Sequence, residues 1–355
     1  MRRHRDDGIG LDELAQATRN HGMPLEALRY DVTPAGLHYL LIHYDIPAVD
    51  PDAWRLEIGG HVARPLVLSL AELRERPAVT APVTMECAGN GRALFGERPI
   101  SQPWLIEAVG TASWTGAPLA PLLDEAGLDD DAVELVFAGL DRGIEGGEEQ
   151  AYARALPVAE ARRDGVLLAY AMNGQPLLPQ HGAPVRLIVP GWYGMTHVKW
   201  LTTVRAIAEP FEGYQQTVAY RFRKDDDDPG VALDRIRPRA LMLPPGIPTF
   251  PERERTLSAG TVTLQGRAWS GGGPVERVEV STDGGASWRD AELGPVIGKY
   301  AWRGWTFPWE ATPGTHELSC RATDGSGAGQ PDEAEFNTGG YANNGVQRVR
   351  LTVAG

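Results

Sequence analysis

Residues 84–95 read TMECAGNGRALF, and the reading of this turn decides the fold of the first half of the chain. Gly89 and Gly91 supply the first two glycines of a dinucleotide-binding G-x-G-x-x-G loop, but Leu94 stands where the third small residue belongs. No G-x-x-x-x-G-K-[ST] occurs either, so the nucleotide-binding reading fails. What remains is a strand ending at Met85-Glu86-Cys87, then small residues that turn tightly and let a bulky group come close. Cys87 is one of 2 cysteines in 355 residues, and Arg92 follows five positions on. A lone thiol is ordinarily a small buried hydrophobe. A thiolate in an electropositive turn suits instead a soft metal or covalent catalysis, and Arg92 is expected to lower its pKa or bind an anion beside it.

Working outward, short strand-like runs dominate: LHYLLIHY (37–44), WRLEIGG (54–60), VELVFAG (133–139), VLLAYAMNG (166–174) and PVRLIVPG (184–191). Helical signals are few. SLAELRER begins at Ser69 with Glu72 placed for a capping box, and APLAPLLDEAG (117–127) is the second. This region reads as mixed α+β. Beyond the proline-rich 237–255, about seven alternating strands separated by Gly/Pro/Asp turns indicate an immunoglobulin-like β-sandwich. The expected organisation is a loosely tethered polar arm at 1–30, a catalytic domain at 31–240, a stiff linker at 241–256 and the sandwich at 257–355. Cys320 falls mid-strand in the sandwich and is expected in its core.

A net charge of −13 argues against a nucleic-acid partner. With 2 cysteines and no C-x-x-C, a disulfide framework and covalent haem are excluded. No window approaches a membrane span and the N-terminus lacks an apolar signal core, so a cytoplasmic protein is expected. Against the acidic background, three stretches gather histidines and cations: 38–43, QHGAPVR (180–186) and GWYGMTHVKW (191–200). In the last, His197 and Lys199 are expected on one face of a strand. Together the stretches suggest a multidentate phosphate site, with Arg as a planar fork and Lys as a point charge. Asp225–Asp228 reads as a solvated loop.

These pieces, in this order, resemble the sulfite oxidase family of molybdenum enzymes along 35–355. The matching runs are MECAGNGR (85–92), NGQPLLPQHGAPVRLIVPGWYGMTHVKWL (173–201), GRAWSGGG with VEVSTDGGASW (266–288) and FNTGGYANNGVQRVRLTV (336–353). The resemblance implies a sulfite-oxidase-type domain holding one pyranopterin dithiolene (molybdenum–molybdopterin) cofactor, and a second domain that forms a homodimer. By the same resemblance Cys87 ligates the metal. Tyr39, His43, Asp141, His181, Arg186, His197, Val198 and Lys199 contact the cofactor, with Arg186 and Lys199 at its terminal phosphate. Tyr220, Trp104 and Arg92 line the substrate pocket. Four positions depart from the family pattern: Leu41 and Gly339 replace pocket arginines, Ala219 an acidic residue, and Thr196 an arginine. A charge-assisted contact is worth about 1.5–3 kcal/mol, so sulfite binding is expected to be weakened.

The implied activity is two-electron oxo transfer on sulfite or a related small oxo-compound, with electrons exchanged with an unidentified external acceptor or donor. The same site run in reverse would make a reductase of an oxidised sulfur or nitrogen compound. From other classes, Cys87 could serve as a hydrolase nucleophile with His43 or His181 as base, or the chain could be an interaction protein that has lost its cofactor.

Overall fold

The computed structural model describes residues 2–250 and 252–355. Its first half is built on two five-stranded sheets. One orders Gln175–Pro176, Leu167–Met172, Val109–Pro118 and Val79–Glu86, with Arg186–Ile188 also paired to Leu167–Met172. The other orders Leu66–Ser69, Arg55–Gly60, Leu201–Ile207, Glu134–Glu145 and Glu148–Pro157. Its parallel pairing, Leu201–Ile207 on Arg55–Gly60, needs a long crossover, and the chain between these strands supplies most of the site. Both helical signals fold as read. Helix Leu70–Arg74 carries a complete capping box between Ser69 and Glu72. Helix Leu119–Ala126 buries Leu119, Leu122 and Leu123 and stops at Gly127 in the left-handed region. The apolar faces of both helices and both sheets meet in one core around Leu56, Phe137, Leu168, Val198 and Val204.

The second half encloses its own core between a four-stranded and a six-stranded sheet. The period-two reading holds well here: Gln347–Ala354 alternates buried and exposed at every residue. Trp305, Phe307 and Trp309 from one sheet pack with Leu318, Cys320 and Ala322 from the other, and Cys320 is fully buried.

Three expectations are corrected. The linker expected at 241–256 is interrupted by short strands: Arg239–Met242 pairs with Gly260–Trp269, while Ile247–Pro248 and Arg255–Ser258 join the six-stranded sheet. The sandwich therefore begins near residue 239. The N-terminal arm is not loose either. Glu13, fully buried, receives Arg98 Nε at 3.1 Å, Met23 and Leu28 enter a core shared with Trp269 and Trp302, and Arg267 Nε donates to the Leu28 carbonyl at 2.8 Å. Finally, LHYLLIHY forms no regular strand, only a bridge between Leu40 and His21. Its polar backbone groups are taken by side chains: the Ile42 amide donates to Asn20 Oδ1 at 2.7 Å, and the Leu41 carbonyl accepts from Lys199 Nζ at 2.7 Å.

Candidate active site

Cys87 directly follows the strand Val79–Glu86, and Asn90 closes the turn behind it. Asn90 Nδ2 donates to Glu86 Oε1 at 2.9 Å and its Oδ1 accepts the Ala108 amide at 3.0 Å. The Cys87 amide donates to the Ala108 carbonyl at 2.9 Å. Glu86 is buried and also accepts two donors from the second half: Arg239 Nη1 at 2.9 Å and Trp269 Nε1 at 2.8 Å. A C-terminal segment lies over the same turn. The Ala342 amide donates to the Ala88 carbonyl at 2.7 Å and Asn343 Nδ2 to the Gly91 carbonyl at 2.9 Å. Gly91 needs to be glycine on two counts, a φ of 89° and a Cβ that would lie 2.8 Å from Asn343.

Cys87 borders two cavities. The inner one is lined by His38, Asp141, His181, Arg186 and Lys199 among others. Burial governs its electrostatics. It pushes His38 down to about 4 and His43, His181 and His197 to about 3, so all four imidazoles are neutral at pH 7. It also raises Asp141 to about 6 and, helped by Arg186, lowers Lys199 to about 7. The Cys87 thiol is pushed up by burial as well; Arg92 pulls the other way, as expected, but burial wins.

The lining also contains buried polar atoms without a protein partner: His38 Nε2, Asp141 Oδ1 and Arg186 Nε, with Trp104 Nε1 in the outer cavity. Each costs about 1–3 kcal/mol when left unmet. His38 is neutral and its Nδ1–H donates to the Tyr39 carbonyl at 3.0 Å, so its Nε2 is an acceptor. Two acceptors (His38 Nε2, Asp141 Oδ1) and two donors (Arg186 Nε, Trp104 Nε1) set around a soft thiol fit a polar ligand with both donors and acceptors that also carries sulfur-bound metal.

The outer cavity, of about 330 Å³, has Arg92, Trp104, Tyr220 and Tyr341 in its wall. Arg92 is aimed by Gly339, whose carbonyl accepts Nε at 3.0 Å, and by Ser101, whose hydroxyl accepts Nη1 at 2.8 Å. Its guanidinium lies over the Tyr341 ring at 4.8 Å. Tyr220 adopts a φ of 44°, a conformation that costs a tyrosine about 1–3 kcal/mol. It packs on Tyr341 with centroids 5.4 Å apart, and its hydroxyl hydrogen-bonds His43 Nε2. Burial holds that phenol well above its ordinary pKa, so it remains a proton donor.

The residues singled out from sequence converge, with exceptions. Tyr39, His43, Cys87, Asp141, His181, Arg186, His197, Lys199 and Tyr220 line the inner cavity, and Arg92 and Trp104 join Cys87 and Tyr220 in the outer one. Val198 does not face either. It is fully buried in the first core, and its amide and carbonyl are used by Thr196 and Leu187. The 197–199 run is also not a strand; it follows the turn Gly194–Thr196 and precedes the strand beginning at Leu201. His197 keeps both ring nitrogens inside the protein, on the Val189 amide at 3.3 Å and the Trp192 carbonyl at 3.1 Å. Arg186 spends Nη1 and Nη2 on the His181 and His197 carbonyls at 3.0 and 3.1 Å, which leaves Nε. Sequence reasoning missed Tyr152 and Tyr341; His38 and Gln180 stood in two of the stretches read as a phosphate site, but the resemblance did not carry them into the set of contact residues. For the hydrolase reading, no hydrogen bond joins the Cys87 thiol to His43 or His181 among the described residues.

A buried thiol in the wall shared by a chamber of neutral histidines and cations and a second, aromatic-walled one suits the class of proteins that hold a cofactor bearing a soft metal. Comparison with known proteins gives the same class. Residues 43–215 match the family described as oxidoreductase molybdopterin binding domain, and residues 247–354 match the Mo-co oxidoreductase dimerisation domain. Sulfite oxidase of Gallus gallus is 37% identical over 342 residues, covering 91% of this chain and 73% of the relative. Nitrate reductase (NADH) 1 of Oryza sativa subsp. japonica is 31% identical over 352 residues, covering 91% of this chain and 38% of the relative. Among solved structures, the sulfane dehydrogenase SoxCD from Paracoccus pantotrophus matches with a TM-score of 0.81 at 27% identity, covering 94% of this chain and 86% of that one. The chain belongs to the sulfite oxidase family of molybdopterin oxidoreductases. It spans 62% of the length of the mammalian mitochondrial sulfite oxidases it matches. No helix among the described residues is long and apolar enough to cross a membrane.

Proposed function

We propose that this protein catalyses two-electron oxo transfer on sulfite or a related small oxo-compound, using a molybdenum–molybdopterin cofactor held in the inner cavity. The observation that carries the reading is the position of Cys87, which lines both a cavity of orphaned polar groups and a second cavity walled by Arg92, Trp104, Tyr220 and Tyr341. When bound, molybdenum supplies the two-electron redox change and the oxo chemistry. The side chains do the rest. Burial keeps the Cys87 thiol protonated, so metal binding releases that proton and the thiolate is stable only as a ligand. Arg186 Nε, Lys199, His38, His181 and Asp141 are the groups we assign to the pterin and its phosphate. On the substrate side Arg92 draws in an anion, while Trp104 and Tyr341 restrict water. Tyr220 directs its hydroxyl from a hydrogen bond to neutral His43, which makes it a positioned proton donor.

A reductase of an oxidised sulfur or nitrogen compound is the second reading. It is favoured by the nitrate reductase relative and by Leu41, an apolar side chain lining both cavities. In either direction electrons pass singly to or from an external partner. We further assign the second half to an immunoglobulin-like sandwich that forms a homodimer, in line with the dimerisation family matched there. Metal analysis tests the core of the proposal: about one molybdenum per chain is expected, and Cys87→Ser is expected to lose it, because a hydroxyl is a hard and weakly acidic substitute for thiolate. Full metal content and an unchanged spectrum in that variant would refute the assignment.

A further inference from the structure

We propose that Arg19 is a second anion-binding residue of the outer cavity, and that the cavity takes a two-ended anion with one acidic group at Arg92 and the other at Arg19. This rests on the reading of the outer cavity as the substrate chamber. The N-terminal segment, which lies outside the matched family regions, supplies Gln16, Arg19 and Asn20 to the wall that also holds Arg92 and Cys87. The Arg19 side chain is 51% exposed, but the backbone that follows it is tied down by reciprocal bonds between His21 and Leu40 at 3.2 and 2.9 Å. Asn20 accepts the Ile42 amide at 2.7 Å and donates to Gln102 Oε1 at 3.0 Å. Arg19 itself spends Nη2 on the Tyr44 carbonyl at 2.8 Å, and its counter-ion Asp45 stands off at 3.8 Å with a side chain 90% exposed. Nε and Nη1 therefore remain for a ligand.

The rest of the lining agrees in sign. The same lining holds uncharged hydrogen-bonding groups, Gln16, Asn20, Ser101 and Gln102. The cavity's one carboxylate among the described residues, Glu145, is already engaged: Oε2 accepts the Tyr44 hydroxyl at 2.8 Å and Gln215 Nε2 at 2.7 Å. A chamber of about 330 Å³ is larger than a four-atom oxyanion requires, and it has a guanidinium at each of Arg92 and Arg19. A ligand with two separated acidic groups and a short polar body uses both.

The test is calorimetric titration of the cofactor-loaded protein with methanesulfonate and with ethane-1,2-disulfonate, neither of which needs to turn over. The wild type is expected to bind the disulfonate about tenfold more tightly, the factor one added charge-assisted contact gives. Arg19→Ala should abolish that preference while leaving methanesulfonate affinity within about twofold, and Arg19→Lys should restore part of it. Wild-type protein with no preference, or an Arg19→Ala variant that keeps it or loses both ligands equally, overturns the proposal. Molybdenum content is measured on the same samples: its absence would sink the functional reading without altering what the titrations say about Arg19.

Discussion

Glu86→Gln asks how far the turn that carries Cys87 depends on the second half of the molecule. In the native arrangement Glu86 Oε1 accepts Asn90 and Arg239, and Oε2 accepts Trp269. A glutamine of the same shape keeps one acceptor and turns an amide donor toward either the Arg239–Asn90 side or the indole N–H, so donor faces donor in both orientations. A buried donor left unmet costs about 1–3 kcal/mol. The larger effect falls on Arg239, whose side chain is 1% exposed. It keeps only the Asn343 carbonyl at 2.8 Å among its acceptors, and removing one partner of a buried ion pair typically costs about 3–5 kcal/mol. That is a large share of a total stability of about 5–15 kcal/mol. Urea unfolding should therefore show a loss of about 3–5 kcal/mol, most of it recovered in the charge-neutral double variant Glu86→Gln/Arg239→Met. In cofactor-free protein a thiol reagent should label Cys87 at least about tenfold faster in Glu86→Gln, since opening the turn by 1.4 kcal/mol corresponds to that factor. Cys320, fully buried in the sandwich core, serves as the internal control. A loss below about 1 kcal/mol with unchanged Cys87 labelling would refute the reasoning.

The cofactor-free protein should lose stability as pH falls from 6.5 toward 4. The four histidines are depressed to about 3 or 4 when folded, so the unfolded chain binds more protons in that window; Asp141, raised to about 6, works in the opposite sense and removes about one. Unfolding at pH 5 should thus take up about three protons, readable from calorimetry in buffers of different ionisation enthalpy; uptake of none would contradict the neutral-histidine chamber. Leu41→Arg should raise kcat/KM for sulfite by about tenfold or more, because a guanidinium added where Leu41 meets both cavities supplies a charge-assisted contact of about 1.5–3 kcal/mol. A slower variant beside an efficient wild type would mean that sulfite already has its charges. Sedimentation at micromolar concentration should show a dimer that is lost on truncation at about residue 238, ahead of the first sandwich strand; a wild-type monomer would count against the assignment of that domain.

Much of the site was legible because its chemistry is local in sequence. Cys87 and the small residues behind it, and the His181–Arg186 and His197–Lys199 runs, announce themselves by residue type within a few positions. What sequence could not give is which side chains are already used up. His197 and Lys199 look alike at a spacing of two, yet His197 spends both nitrogens on backbone while Lys199 Nζ reaches Leu41 and Gln180 at 2.7 and 3.3 Å. Val198 between them was drawn into the site only by that proximity. The same limit applies to the fold. Alternation in 347–354 is a strong signal for a sheet with one solvated face, but LHYLLIHY, equally strand-like, pairs with side chains because Asn20 and Lys199 arrive from far away in sequence. The N-terminal arm read as loose because its acids and arginines look solvated, whereas the pairing of Glu13 with Arg98 spans 85 positions.

The thiol shows most clearly how the long-range and local effects compete. A guanidinium five residues on was read as lowering the Cys87 pKa, and its Coulombic effect has that sign, but desolvation is larger and reverses the outcome. The same balance holds across the inner chamber, where burial neutralises histidines and brings Lys199 to about 7. In the absence of an anion the four imidazoles are neutral and Lys199 is partly so, which leaves the Arg186 cation with a single carboxylate, Asp141, in the same lining and explains how three titratable stretches can lie together without a matching set of carboxylates. A phosphate-bearing ligand changes that balance. Its negative charge stabilises the protonated forms of Lys199 and the histidines, so their pKa values rise and the pocket takes up protons as it closes on the ligand. At Cys87 the sign is opposite, because a soft cation displaces the thiol proton. The two halves of one cofactor are thus met by opposite proton movements on either side of a single turn. That turn is held in register by Glu86, Arg239 and Trp269 from the domain that carries no cofactor contacts of its own in the inner lining.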